Sequence, residues 1–192
     1  MIFSSWDFVF LKNEAAKLVE YLGLSSGMKL AEIGAGSGDL ALLLAKVVGD
    51  SGLVFATEHD EGKFRKLSHR VERGKIKNMQ AALAKDGQGN LPSIQFDAIV
   101  MKKVYHHFTD AEGQNRSFFE HLKPGGKLAV MDFEPKWYLK LSMPKGVPKK
   151  YGGHGIYKRV LVEEVLKAGF RLEKLGEKFG SGGMYCAVFA KP

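Results

Sequence analysis

Cysteine is almost missing from this 192-residue chain, with Cys186 the single example. No intrachain disulfide framework can form, which suits a reducing compartment. Metal-binding spacing is missing as well, because one thiol and six scattered histidines give no zinc-like pairs, and no metal site is expected. The apolar start MIFSSWDFVF lacks a basic flank and carries Asp7 inside it, so it reads neither as a signal peptide nor as a membrane span. A cytoplasmic location is the expectation. Internal repeats, low-complexity tracts and interdomain linkers are also lacking. Acidic residues are absent between Pro135 and Val162, a stretch that holds Lys136, Lys140, Lys145, Lys149, Lys150, Lys158 and Arg159.

What is present is ordinary for a globular protein: 45% hydrophobic and 26% charged residues. The length suits one domain over 1–192 with a full core and no need for staples. The formal net charge of +8 is compatible with nucleic acid, an anionic substrate or an acidic membrane surface. A lysine-rich surface with no partner is the plainer alternative.

The stretch from Met28 to Asp60, MKLAEIGAGSGDLALLLAKVVGDSGLVFATEHD, organises the rest. Leu30 to Ile33 is a short apolar run that stops at Gly34, Gly36 and Gly38. Leu40, Leu43, Leu44 and Val47 then follow helical spacing, and Gly49 lies where that helix ends. Leu53 to Thr57 is the next β-rich run, closed by Glu58 and His59. Glycines let the chain turn sharply and let a ligand approach closely. Free N–H groups at the helix start face that ligand, and a carboxylate some 20 residues on suits a ribose. Dinucleotide sites place a third glycine three positions after the second. Here that position is Asp39, which would repel a pyrophosphate. Acids before and after the turn, Glu32 and Asp39, favour a positively charged nucleoside cofactor.

This stretch resembles motif I and the acidic strand end of the class I S-adenosylmethionine-dependent methyltransferases. Further along, Phe96-Asp97-Ala98-Ile99-Val100 running to His106-His107 resembles motif IV in the small-molecule branch, including the ubiquinone and menaquinone biosynthesis C-methyltransferase group. Leu122-Lys123-Pro124-Gly125-Gly126 before a strand, and a closing helix, Ala168-Gly169-Phe170 and hairpin, are also similar. The resemblance runs from about Met28 to the C-terminus. It implies an α/β fold with a Rossmann-like seven-stranded sheet, mostly parallel with an antiparallel C-terminal strand, and helices on both faces.

The resemblance also implies S-adenosyl-L-methionine as cofactor, with Glu32, Gly34, Gly36, Gly38, Glu58, His59, Asp86 and Lys103 around it. Asp86 matches the loop carboxylate that this family places near the adenine amino group, although an ordinary Asp-Gly turn reads equally well there. Lys102 and Lys103 depart from the family, which has small or amide residues at that point. Two ammonium groups beside a sulfonium are unfavourable, so at least one should point away or pair with an acid.

The coarse pattern gives helices over 13–22, 61–73, 112–122 and 160–168. Strands are expected over 78–83, 96–101, 127–131, 169–174 and 184–190. Residues 1–24 form a helical N-terminal cap over the pocket or close one edge of the core. Residues 135–159, with Trp137, Tyr138, Tyr151 and Tyr157, are too long for a plain connection and read as a substrate loop or lid.

Methyl transfer from an activated donor asks mainly for alignment, with a base only where the acceptor must lose a proton. His106 and His107 are the candidate bases and Asp132 a second-line one. Tyr105, His154 and Trp137 are candidate substrate contacts. A small-molecule acceptor, anionic or aromatic, is the leading expectation. An RNA or protein methyltransferase is the alternative in the same fold, but Lys102-Lys103-Val104-Tyr105 lacks the Asn-Pro-Pro-Tyr signature of amino-group enzymes. A binding protein without turnover is a third reading, and a nicotinamide dehydrogenase is disfavoured by Asp39.

Overall fold

Strand β1 (Lys29–Ile33) alternates its side chains between two apolar layers, and this alternation sets the architecture. The computed structural model describes residues 5–84, 91–135, 148–180 and 183–192, with side chains described from residue 11 onward. After helix α1 (Ser5–Leu22) and β1 come α2 (Asp39–Val48), β2 (Leu53–Glu58), α3 (Glu61–Arg73), β3 (Met79–Leu83) and β4 (Phe96–Lys102). Then follow α4 (Ala111–His121), β5 (Leu122–Asp132), α5 (Lys158–Lys167), β6 (Arg171–Phe179) and β7 (Met184–Ala190).

The seven strands form one sheet in the order β3-β2-β1-β4-β5-β7-β6. Strands β1 to β5 pair in parallel, while β7 runs antiparallel to both β5 and β6. The order reverses between β1 and β4, and open α/β sheets bind ligands at the carboxyl ends of the strands flanking such a point.

On one face Leu30, Val54, Ala98, Val100 and Val188 meet Leu18 of α1, Leu40 and Leu44 of α2 and Leu67 of α3. On the other, Ala31, Ile33, Ile99, Met101 and Phe189 meet Phe118 of α4 and Leu161 and Val165 of α5. Burial on both faces explains why these strands read as unbroken apolar runs. Each fully buried aliphatic side chain contributes roughly 1.5–3 kcal/mol. Edge strand β6 is instead charged along its length, with Arg171, Glu173, Lys174, Glu177 and Lys178, which discourages pairing with another chain.

Three boundaries differ from the pattern by more than two residues. Helix α1 starts at Ser5 and not Asn13, because Trp6, Phe8 and Phe10 fall at alternate positions and hide the 3.6-residue period. Strand β5 begins at Leu122, so Pro124-Gly125-Gly126 is a bulge within it and does not precede it. The register against β4 passes from Leu122 opposite Phe96 to Lys127 opposite Ala98, and Gly125 takes φ +74°. Strand β6 extends to Phe179. The candidate lid is described only at Pro135 and from 148 onward, so Trp137 and Tyr138 lie outside the described residues, as does Asp86. Among the described residues no helix is long and apolar enough to cross a membrane.

Candidate active site

The glycine turn between β1 and α2 takes left-handed conformations at Gly34 (φ +70°), Gly36 (φ +59°) and Gly38 (φ +83°). A Cβ on Gly34 would run into the Val104 side chain beyond β4, so glycine is needed there for strand packing. A Cβ on Gly36 would meet nothing, because this position opens onto a cavity. The two glycines therefore serve different ends, one close packing and the other ligand access.

That cavity, of about 380 Å³, lies at the carboxyl ends of β1, β2 and β4. Gly34, Gly36, Glu58, His59, Lys103 and His107 all line it. Glu58 ends β2 and is buried, with one carboxylate oxygen accepting from Gly36 N–H at 2.7 Å. Its other oxygen accepts from the N–H groups of His59 and Asp60, each at 2.9 Å. The acid is thus pre-positioned at the mouth of the turn, and the exposed His59 ring lies 3.1 Å from it.

Glu32 lies beneath the turn, 3% exposed, and its Oε2 has no hydrogen-bond partner. Burial pushes its carboxyl up to about 8, against the pull of the Lys102 ammonium. An orphaned acidic oxygen next to an open glycine turn fits a cationic nucleoside. Asp39, by contrast, is compensated: Arg70 Nη1 sits 2.7 Å from Oδ1 and Ser37 Oγ donates to Oδ2 at 2.6 Å. Its repulsion of a pyrophosphate is weaker than the sequence suggests, and Glu32, largely protonated at pH 7, adds little to it.

Lys102 and Lys103 both line the cavity but differ in partner. Lys102 pairs with the buried Glu14 of α1. Lys103 stays on the cavity rim in a left-handed conformation, φ +58°, its N–H donating to Met131 C=O at 2.8 Å. For a residue with a side chain that backbone costs about 1–2 kcal/mol, and such strain gathers at functional sites.

The facing wall of the cavity is built from the turn after β4. His106 is buried, and its Nδ1 lies 2.9 Å from both carboxylate oxygens of Asp132, which ends β5. The Asp132 carboxylate also accepts from Phe133 N–H at 2.9 Å. His106 Nε2 is buried without a partner. His107 faces the cavity, and His154 arrives from the segment leading into α5, where Gly155 (φ +123°) packs against the Phe133 carbonyl. The His106 ring centroid lies 4.1 Å from that of His107 and 4.6 Å from that of His154. Desolvation, then the neighbouring imidazoles, holds His107 down at about 4. The same causes lower His154. Both rings are neutral at pH 7 and able to accept a proton or donate a lone pair.

Tyr105 is not among the residues lining this cavity. It is fully buried, its hydroxyl accepting from Asn115 Nδ2 at 2.7 Å and donating to Glu164 at 3.0 Å, a carboxylate that Tyr151 also reaches at 3.0 Å. Glu14 and Phe133 were not legible as site residues. Glu14 reaches Lys102 across 88 positions, and no local signal encodes that contact.

The family model described as protein-L-isoaspartate(D-aspartate) O-methyltransferase matches residues 11–137. A ubiquinone/menaquinone biosynthesis C-methyltransferase UbiE from Shewanella woodyi is 30% identical over 120 residues, 62% of this chain and 48% of the relative. The match thus spans about half the length of such curated relatives. A SAM-dependent methyltransferase from Aquifex aeolicus superposes with TM-score 0.73 at 21% identity, covering 100% of both chains. The fibrillarin of Aeropyrum pernix, solved with natively bound S-adenosyl-L-methionine, superposes with TM-score 0.65 at 14% identity over 92% of this chain and 76% of that one. The sheet order, the glycine turn and the family match agree, and the chain belongs to the class I S-adenosylmethionine-dependent methyltransferases.

Proposed function

We propose that this protein methylates a small-molecule acceptor seated against His107, using S-adenosylmethionine held at the glycine turn. The observation that carries the reading is that Gly36, Glu58 and His107 line one cavity, so donor and acceptor sides share a wall. The cofactor supplies an activated methyl group. Around it, Gly36 admits the close approach, Gly34 lines the same wall while packing against Val104, Gly38 opens α2, and Glu58 is placed for paired hydroxyls. Glu32 offers its unpartnered oxygen to positive charge, with His59 and Lys103 at the rim. Asp86 remains part of the proposal from sequence alone.

On the acceptor side Asp132 positions His106, and the neutral His107 ring takes a proton where the acceptor must lose one. His154 and the apolar ring of Phe133 close the same side. A cytoplasmic site of action belongs to this reading. So does an acceptor other than nucleic acid; several basic side chains already face carboxylates, in Arg70–Asp39, Lys123–Asp97, Lys127–Glu173, Lys150–Glu164 and Lys158–Glu177 pairs, which leave the net charge of +8 unchanged.

Calorimetry with S-adenosylmethionine and with NADH tests the donor, and binding of NADH alone would overturn it. A metabolite screen with labelled methyl donor identifies the acceptor. The match to the isoaspartate O-methyltransferase model favours a second reading, a protein carboxylate as acceptor. An isoaspartyl peptide in the same assay tests that, and label entering the peptide but no metabolite would replace the small-molecule reading.

A further inference from the structure

We propose that His106, His107 and His154 form a site for one divalent transition-metal ion of the zinc class, whose open position takes an ionisable oxygen of the acceptor. The acceptor clause rests on the function proposed above, whereas the metal clause does not.

Each of the three histidines can place one ring nitrogen within 4.8 Å of the other two. Nothing in the chain spacing announces this, since His154 comes from a different part of the sequence. Two features separate the cluster from incidental stacking of imidazoles. The first is His106 Nε2, which is buried without a partner on a side chain only 1% exposed. Leaving such a group unsatisfied forfeits its hydration with nothing in exchange, and a metal ion in the cluster removes that cost. The second is Asp132, fully buried, which engages Nδ1 of the same ring and leaves Nε2 as the ligating nitrogen. A carboxylate behind a histidine is the recurring outer shell of zinc sites, where it fixes the ring and raises its basicity.

The donor set selects the ion. Three imidazoles with no carboxylate in the inner shell suit zinc, cobalt, nickel or ferrous iron, and exclude calcium and magnesium, which want oxygen. Zinc–nitrogen bonds of about 2.0–2.1 Å put tetrahedral ligand nitrogens about 3.4 Å apart. No pair here therefore needs to close by more than about 1.4 Å on binding.

Three neutral ligands leave the ion's two positive charges uncompensated within the inner shell, so the open position favours an anion. Because His107 lines the donor cavity, an acceptor bound at that position lies beside the methyl donor. A phenol, enol or hydroxy acid fits: on binding, its O–H bond breaks, the electron pair stays on oxygen, and the proton leaves to solvent. The ion changes neither charge nor oxidation state. In the metal-bound protein His107 is a ligand and not a base.

The experiment is titration of the chelator-treated full chain with zinc chloride by calorimetry and with cobalt chloride by visible absorption. One equivalent should bind, with tetrahedral cobalt bands and a zinc-dependent rise in melting temperature. His107→Ala and His154→Ala should weaken binding at least about 10-fold, and Asp132→Asn about 10–100-fold. Gly36→Val should leave the cobalt spectrum intact. Absence of cobalt bands in the wild type would overturn the proposal, as would binding that survives His107→Ala and His154→Ala. S-adenosylmethionine affinity is measured on the same samples. Donor binding without metal binding sinks this inference alone, and metal binding without donor binding sinks the methyltransferase reading and leaves the metal site standing.

Discussion

Asp132 holds Nδ1 of His106 with both carboxylate oxygens at 2.9 Å, in a place where Asp132 has no exposure and His106 only 1%. A buried pair of this kind settles which ring nitrogen carries the proton. His106 should be the Nδ1–H tautomer in the metal-free protein, with Nε2 bare. Nitrogen chemical shifts of the histidine side chains read this directly. Asp132→Asn should disturb the His106 signal and cost about 1–3 kcal/mol in stability, while S-adenosylmethionine affinity changes less than about threefold. A donor affinity that collapses with it would mean the pair supports the cofactor and not the acceptor side.

Gly36→Val tests the turn. Valine at φ +59° costs about 1–2 kcal/mol, a modest drop in melting temperature. Its side chain also points into the cavity and should abolish the calorimetric signal for S-adenosylmethionine. Retained donor binding in a folded variant would place the cofactor elsewhere.

Glu32 predicts a pH dependence. Its folded value near 8 lies above the ordinary 4.5, so the folded state binds the proton more tightly than the unfolded chain. The resulting stabilisation is complete below about pH 4.5 and is lost as pH rises to about 8. Glu32→Gln keeps the neutral shape and should match wild type near pH 5. Near pH 8 it should be the more stable protein by a few kcal/mol. Parallel curves of denaturation midpoint against pH would rule out a buried neutral acid at this position.

Lys103 separates strain from charge. Lys103→Gly relieves the left-handed backbone and should raise stability by up to about 1 kcal/mol, whereas Lys103→Val should lower it by a similar amount. Urea midpoints decide, and equal values for the two variants would show that the conformation is not what costs energy there.

The glycine-turn wall of the cavity was legible because its geometry is local. Glu32, the three glycines and Glu58 sit on consecutive elements, and their spacing alone encodes a turn, a helix start and a strand end. Helix α3 was legible to the residue, from an apolar stripe of Phe64, Leu67 and Val71 on an otherwise polar surface. The histidine wall depends on contacts that spacing does not record. Tyr105 stands next to two histidines in the chain and reads as a substrate contact. Its ring is drawn into the core because Glu164, 59 positions away, accepts its hydroxyl. An adjacent histidine pair and a distant third give no ligand-like spacing, yet the turn after β4 and the glycines around His154 gather them. Asp39 shows the opposite error, a charge visible in sequence whose counterion, Arg70, was one helix further on.

The pairing of Lys102 with Glu14 reaches beyond its own ion pair. Lys102 is also the main cation opposing the desolvation of Glu32, so one ammonium answers to two acids on different elements. The seating of the first helix thereby sets how much of that ammonium's field remains for the acid under the glycine turn. The opening segment thus reaches the electrostatics beneath the turn through a shared ammonium and not through a contact with the turn itself.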